Sequence, residues 1–398
     1  MDLSFTAQQQ AFRAEARAWL EANIPAEPLL SGDTREGFAQ HIEWEKKLFA
    51  AGWSVVAWPR DYGGRAASLM EWLIFEEEYY RAGAPSRVTQ NGIFLLAPTL
   101  FEFGTDEQKA RILRSMAAAE HLWAQGWSEP GAGSDLAAIR STARQTGGGW
   151  ILNGQKTWCT RAGFCNSLFG LFRSDPDAPR HNGLTYFLVP LDAPGVTVRP
   201  VQRLDGDQGF AEVFFEDVLV PDADVLGGVH QGWQVAMATA SSERGLSLRS
   251  PGRFLATAAK LVELYRRHQR ATEPRRWGHA GIEPGPGVRE QVVQAWMDAQ
   301  AYRLYTFDIA TRMSAGQSIG AESSINKIFW SEMDVRIHET ALALLGPAAE
   351  LEGGSPDAVD DGAWIKGYQF ALAGPIYAGT NEIQRNVVAE RVLGLPRK

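Results

Sequence analysis

The hydrophobic period of this chain changes near His121 and changes back after Gly232. A helix repeats its apolar face roughly every 3.6 residues and a strand every second residue, so one segment cannot serve both patterns. From Asp2 to about Glu120 the pattern is helical. Thr6 with Gln9, Ser68 with Glu71 and Thr105 with Gln108 form capping-box signatures. Apolar residues at helical spacing follow, such as Phe12, Trp19 and Leu20, or Ile112, Leu113 and Met116. Between these helices, Pro59 and Gly63–Gly64 in "WPRDYGG" mark a loop.

From His121 to about Leu226 come short runs of strand character: "HLWAQGW", "WILNGQKTW", "SLFGLF", "LTYFLVPL", "VTVRPV" and "AEVFFEDVLV". Turn residues separate them, including Gly147–Gly149 and Pro194–Gly195, and Asn153–Gly154 between apolar flanks reads as a hairpin turn. Strands without intervening helices predict an antiparallel sandwich or barrel. After Gly232 the helical period returns in "GWQVAMATASSERGLSLR", "REQVVQAWMDAQAYRLYTFDIATRM" and "AESSINKIFWSEMDVRIHETALALLG", the last closed by Gly346–Pro347. The expected fold is α+β and multidomain: a helical domain over 1–120, an antiparallel β domain over 121–226 and a helical bundle over 227–398.

At 398 residues and 45% hydrophobic content the chain can fill several cores. A formal net charge of −8 argues against a nucleic-acid partner, but not against an anionic cofactor held locally by backbone N–H groups. Cys159 and Cys165 match neither zinc nor redox spacing and are expected to be reduced thiols. The N-terminus lacks the basic start and apolar run of a secretory signal, and no apolar stretch reaches membrane-spanning length, so a cytoplasmic protein with no membrane partner is expected.

Several chemical motifs fail. "PGAGSDL" lacks the third glycine of a dinucleotide fingerprint and sits in a β-rich segment. "GWILNGQKT" misses a P-loop because Gln155 separates Gly154 from Lys156. The seven histidines form no H-E-x-x-H, none pairs with cysteine at metal spacing, and no metal is expected. No G-x-S-x-G elbow occurs. Four stretches survive: "GWSEPGAGSDLAAIRSTA", "GGWILNGQKTWCT", "GWQVAMATASSERG" and "AGTNEIQRNVVAERVLGLP". Taken singly, each reads as a turn, a core aromatic or an exposed helical turn.

In this order the four stretches resemble the acyl-CoA dehydrogenase family, over essentially the whole chain. The resemblance implies a tetrameric flavoprotein, homomeric or heteromeric, with an N-terminal helical domain, a central β domain and a C-terminal four-helix bundle. It implies FAD between the β domain and the bundle, acyl-CoA as substrate and an electron-transfer flavoprotein as acceptor. By the same resemblance Trp127 and Ser128 meet the flavin ring, and Gly133 and Ser134 approach the FAD pyrophosphate. Trp158 covers one flavin face, Thr160 bonds near the reactive flavin nitrogen, and Thr380 and Glu382 neighbour the FAD from the C-terminal turn.

Such chemistry removes a weakly acidic α-proton with a carboxylate and passes the β-hydride to flavin N5, while fixed donors meet the charge on the thioester oxygen. Many family members carry that carboxylate immediately before "GT", where this chain has Ala378. A branch of the family places its glutamate on the first long helix of the bundle, and aligning "GWQVAM" puts that position at Glu243. Glu243 is therefore the expected base, with Arg244 shaping the site and Tyr377 lining the acyl pocket beside Ala378.

Two family motifs are altered. An arginine followed by Phe-Gly is replaced by Arg275–Arg276 before Trp277–Gly278, and a glutamine before "GGxG" is replaced by Ala343 of "ALLGPAAE". These changes leave open weaker FAD binding or a heteromeric partner, and the acyl carrier is coenzyme A or acyl carrier protein. A flavin-dependent oxygenase on the same fold and a structural subunit of a heteromeric dehydrogenase stand as alternatives.

Overall fold

The computed structural model describes residues 4–244, 250–270, 287–317 and 319–396, except the side chains of 242–244. In chain order the helices are α1 (Ala7–Asn23), α2 (Arg35–Ala50), α3 (Leu69–Arg81), α4 (Ala97–Phe103), α5 (Asp106–Ala117) and α6 (Gly232–Arg244), then α7 (Pro251–Arg270), α8 (Val288–Ser314), α9 (Ser323–Leu345), α10 (Ala363–Ala371) and α11 (Asn381–Val387). The strands are β1 (Trp123–Gly126), β2 (Thr142–Thr146), β3 (Gly149–Lys156), β4 (Ser167–Arg173), β5 (Leu184–Pro190), β6 (Val196–Val201), β7 (Phe210–Val220) and β8 (Val225–Leu226). An N-terminal helical domain, a central sheet domain and a C-terminal helical domain thus follow one another as expected. All three capping boxes form, with the hydroxyls of Thr6, Ser68 and Thr105 each accepting the backbone N–H three residues on.

By packing, the chain forms two compact units. One consists of Met1–Ile24, Ser68–Ala84 and Arg244–Lys398, so that α1 and α3 group with the C-terminal helices. Its core joins Phe254, Leu261, Tyr302, Trp330, Ile337 and Trp364. Helix α7 lies so close to α3 that a Cβ at Gly252 would sit 2.6 Å from the Glu76 carbonyl oxygen. This helix was not among the three expected, although Phe254, Ala258, Leu261 and Leu264 follow helical spacing.

The other unit, Pro25–Ala67 and Pro85–Glu243, is built on an eight-stranded sheet in the order β6-β7-β3-β2-β4-β5-β8, with β1 beside β4. Most pairings are antiparallel, but β1 runs parallel to β4 and β2 makes one parallel pair with it. The β2–β3 hairpin turns at Gly147–Gly148, between the pair Thr146 and Gly149. Asn153–Gly154 is therefore no hairpin turn. It lies within β3 at a break in register against β7, where Gly154 has φ +139° and the Asn153 amide pairs with Asp217. A glycine there relieves a bulge, because a Cβ would come within 2.3 Å of Ser141 Oγ.

Candidate active site

In the sheet unit the site residues gather where β1 and β3 end. Trp127 and Ser128 follow β1, and Glu129 then exchanges two backbone hydrogen bonds of 3.0 Å with Ala132. The Glu129 carboxylate also accepts the backbone N–H groups of Arg140, at 2.6 Å, and Ser141, at 3.0 Å. One side chain thereby closes the loop that carries Gly131, Gly133 and Ser134. Gly133 and Ser134 are exposed, and a Cβ at Gly131 or Gly133 would meet nothing within 4 Å. Backbone N–H groups in such an open loop can approach an anion directly.

Strand β3 delivers Trp158 to the same place, since the Thr157 N–H donates to the Ser128 carbonyl at 2.8 Å. Trp158 has φ +58° and its residue is 60% exposed, the ring standing edge-on to Phe210 at 5.7 Å. A bulky side chain in the left-handed region costs about 1–3 kcal/mol and persists only where its surroundings impose it. Here the next residue imposes it: Cys159 and Ala211 exchange backbone hydrogen bonds of 2.9 and 3.0 Å. Burial pushes the Cys159 thiol up to about 12, which keeps it protonated and inert. The Thr160 carbonyl accepts from Asn91 Nδ2 at 3.3 Å, on the π-helical turn Asn91–Leu96.

Trp127 is buried, and its indole N–H has no acceptor among the described residues. Its ring stands edge-on to Tyr186 at 6.3 Å, and the Tyr186 hydroxyl lies 3.3 Å from that of Thr239 on α6. A buried donor left unmatched costs about 1–3 kcal/mol, so it suits a ligand acceptor. An open backbone loop, an exposed flat aromatic and a buried donor together fit a ligand that joins phosphates to a planar, acceptor-rich ring.

In the helical unit the C-terminal turn is built differently. Ala378 and Gly379 both lie in the left-handed region, with φ of +56° and +78°, and Thr380 then caps α11. Gln384, fully buried, donates to the carbonyls of Ala378 at 3.1 Å and Gly379 at 3.3 Å. Asn381 ties the turn to α9: its Oδ1 accepts from Lys327 Nζ at 2.7 Å and Ser331 Oγ at 3.1 Å. Tyr377 packs against Trp330 with ring centroids 5.9 Å apart. Glu382 is exposed, and its own backbone N–H and the Thr380 side chain hold its carboxyl below the usual range.

Glu243 and Arg244 stand in the last turn of α6, and their side chains lie outside the described residues. Arg275, Arg276, Trp277 and Gly278 also lie outside them. Ala343 is exposed on α9. Among the described residues no helix is long and apolar enough to cross a membrane, and no His, Cys, Asp and Glu cluster could hold a metal.

The family models for the acyl-CoA dehydrogenase N-terminal, middle and C-terminal domains match residues 6–120, 124–218 and 230–393. The chain belongs to the acyl-CoA dehydrogenase family. "Acyl-CoA dehydrogenase IpdE1" of Mycobacterium tuberculosis is 40% identical to it over 98% of each chain. The solved "Tcur3481-Tcur3483 steroid ACAD" is 29% identical, covers 100% of both chains and superposes with a TM-score of 0.87. The "ChsE4-ChsE5 complex" of Mycobacterium tuberculosis is 30% identical over 100% of both chains, with a TM-score of 0.83. As an acyl-CoA dehydrogenase the chain is an FAD-dependent oxidoreductase of acyl-CoA thioesters, and FAD has both the phosphates and the planar ring that the sheet unit suits.

Two structural groups of this acyl-CoA dehydrogenase escaped the sequence reading. One is the Lys156–Glu129 ion pair, whose signal was a lysine inside an apolar strand run. The other is the two amides that hold the C-terminal turn, Gln384 on the carbonyls of Ala378 and Gly379 and Asn381 on Lys327 and Ser331. Their signal was two amides early in a short capped helix.

Proposed function

We propose that the protein introduces an α,β double bond into a bulky, polycyclic acyl-CoA thioester, with Glu243 as the base. The observation that carries this reading is the residue before Gly379. Ala378 holds the left-handed turn but offers no carboxylate, so the proton acceptor must come from another element. Glu243 follows the buried Thr239 by one turn of α6.

Glu243 removes the α-proton onto its carboxylate as the β-hydride departs, leaving a trans double bond. FAD, when bound, supplies the two-electron acceptor for that hydride. Trp127, Ser128, Gly133, Ser134, Trp158 and Thr160 are assigned to holding the cofactor, with Thr380 and Glu382 of the helical unit. The backbone N–H at Ala378 is assigned to the thioester oxygen, where a fixed donor meets developing charge without reorganisation. Tyr377 and Arg244 are assigned to the acyl group.

A small residue at 378 favours a bulky acyl chain, and the similarity to the solved steroid ACAD supports that class. The altered Ala343 position and the paired names of two solved relatives support a heterotetramer with a related subunit. An electron-transfer flavoprotein is the proposed acceptor. The test is anaerobic mixing of the FAD-loaded protein with a panel of acyl-CoA esters. Bleaching of the visible flavin band by polycyclic esters, and little by short straight-chain ones, is expected. Equal bleaching by both would refute the substrate class, and no bleaching by any ester would refute the reaction.

A further inference from the structure

Lys156 is fully buried at the end of β3, and its ammonium has three acceptors. It donates to Glu129 Oε1 and to the Leu171 carbonyl, each at 2.7 Å, and to the Trp127 carbonyl at 3.4 Å. The ammonium also lies 4.8 Å from the centre of the Phe172 ring. Glu129 is 8% exposed and opens the loop through Gly131, Gly133 and Ser134, which its carboxylate closes at Arg140 and Ser141. The pair therefore touches both ends of that loop, the residue before Ser128 and the strand that leads to Trp158.

A buried ion pair is weak support for a fold, because desolvation offsets most of its attraction and apolar replacements of similar size are often as stable. What such a pair supplies well is position, since each partner must meet its hydrogen-bonding groups in one geometry. Burial opposes ionisation of Glu129, but Lys156 and the Arg140 and Ser141 donors outweigh it and hold the carboxyl below the usual range. Burial lowers Lys156 from the usual lysine range, against the attraction of Glu129.

We propose that Lys156 and Glu129 form a buried clamp that presets the Trp127–Ser141 loop and the Trp158 segment for FAD, acting as positioning residues with no contact to the reacting atoms. The proposal rests on the FAD assignment of this face given above. It makes a specific claim, that cofactor geometry depends on the pair while the stability of the sheet does not.

The experiment compares the full-length wild type, Lys156→Met with Glu129→Gln, and Trp158→Ala, each reconstituted with FAD. Apo melting temperature, FAD dissociation constant and the visible absorption and circular dichroism of bound flavin are measured. The double variant is expected to keep its apo melting temperature within a few degrees, to raise the FAD dissociation constant tenfold or more and to lose induced flavin dichroism. Glu129→Gln alone keeps an acceptor for only one of the Arg140 and Ser141 N–H groups and leaves the Lys156 ammonium buried without its counter-charge. It is therefore expected to lower the apo melting temperature more than the double variant does, and a smaller loss would overturn the pairing. Wild-type affinity and dichroism in the double variant would overturn the clamp, as would a loss of FAD only in proportion to lost apo stability. An effect of Trp158→Ala without one of the double variant would overturn the clamp alone. No effect of Trp158→Ala, or no FAD bound by the wild type, would overturn the FAD assignment and the clamp together.

Discussion

The Gln384 side chain donates to two successive carbonyls, those of Ala378 at 3.1 Å and Gly379 at 3.3 Å, and so holds a left-handed turn from within. The strain of Ala378 is carried by this amide and by the Asn381 link to α9. Gln384→Leu keeps most of the volume but removes the donor. It is expected to cost about 1–3 kcal/mol of stability. With the turn loosened, kcat on acyl-CoA is expected to fall at least tenfold, and FAD affinity to fall by less, because the sheet-unit residues assigned to the cofactor are untouched. A variant with wild-type kcat in steady-state assays would show that the turn has no part in catalysis.

Glu243→Gln tests the base. Loss of a general base lowers rate by about a hundredfold to ten-thousandfold, so anaerobic flavin reduction is expected to fall in that range while acyl-CoA binding persists. Adding Ala378→Glu should return part of the rate for small acyl groups. Ala378 already has a Cβ at φ +56°, so a longer side chain adds little backbone strain there. Stopped-flow absorbance at the flavin band reads both effects. An unchanged rate in Glu243→Gln would remove that residue from the reaction.

Gly133→Val separates ligand approach from folding. A Cβ at Gly133 meets nothing in the protein, so the apo melting temperature is expected to stay within about 2 °C of wild type. The branched side chain would crowd the open backbone, and FAD affinity, read by flavin fluorescence, is expected to drop tenfold or more. Full affinity would place the phosphates elsewhere.

Asp33 gives a pH dependence with a defined sign. Burial raises its pKa, but Arg161 and Arg203 outweigh that and hold the carboxyl below the usual range. Folding therefore favours the ionised form. That stabilisation is complete above the unfolded value of about 3.9 and is lost as pH falls through the lower folded value. At neutral pH Asp33→Asn is expected to cost about 1.5–3 kcal/mol, because Arg161 loses its carboxylate while Arg203 keeps Asp205 and Asp207. The gap to wild type should close below about pH 4 as the wild-type carboxyl takes up its proton. Urea unfolding across pH measures it, and a gap independent of pH would contradict the assignment.

Local sequence determined most elements of this protein. Capping boxes at Thr6, Ser68 and Thr105 start their helices because the hydroxyl and the amide or carboxylate that satisfy the end lie within one turn. Strand β6 spans its run of strand character from Val196 to Val201 residue for residue. The motif order identified the family and the residues assigned to FAD. Strand β2 was not legible because it is mostly exposed and polar, and only pairing with β3 makes it a strand. Asn153–Gly154 had the composition of a turn, yet the neighbouring strand made it a bulge. The clamp of Lys156 on Glu129 spans 27 residues, and the Lys327 bond to Asn381 spans 54. No local period encodes such pairs. Tertiary structure decided them, because a buried charge or amide is stable only where distant segments bring it a partner.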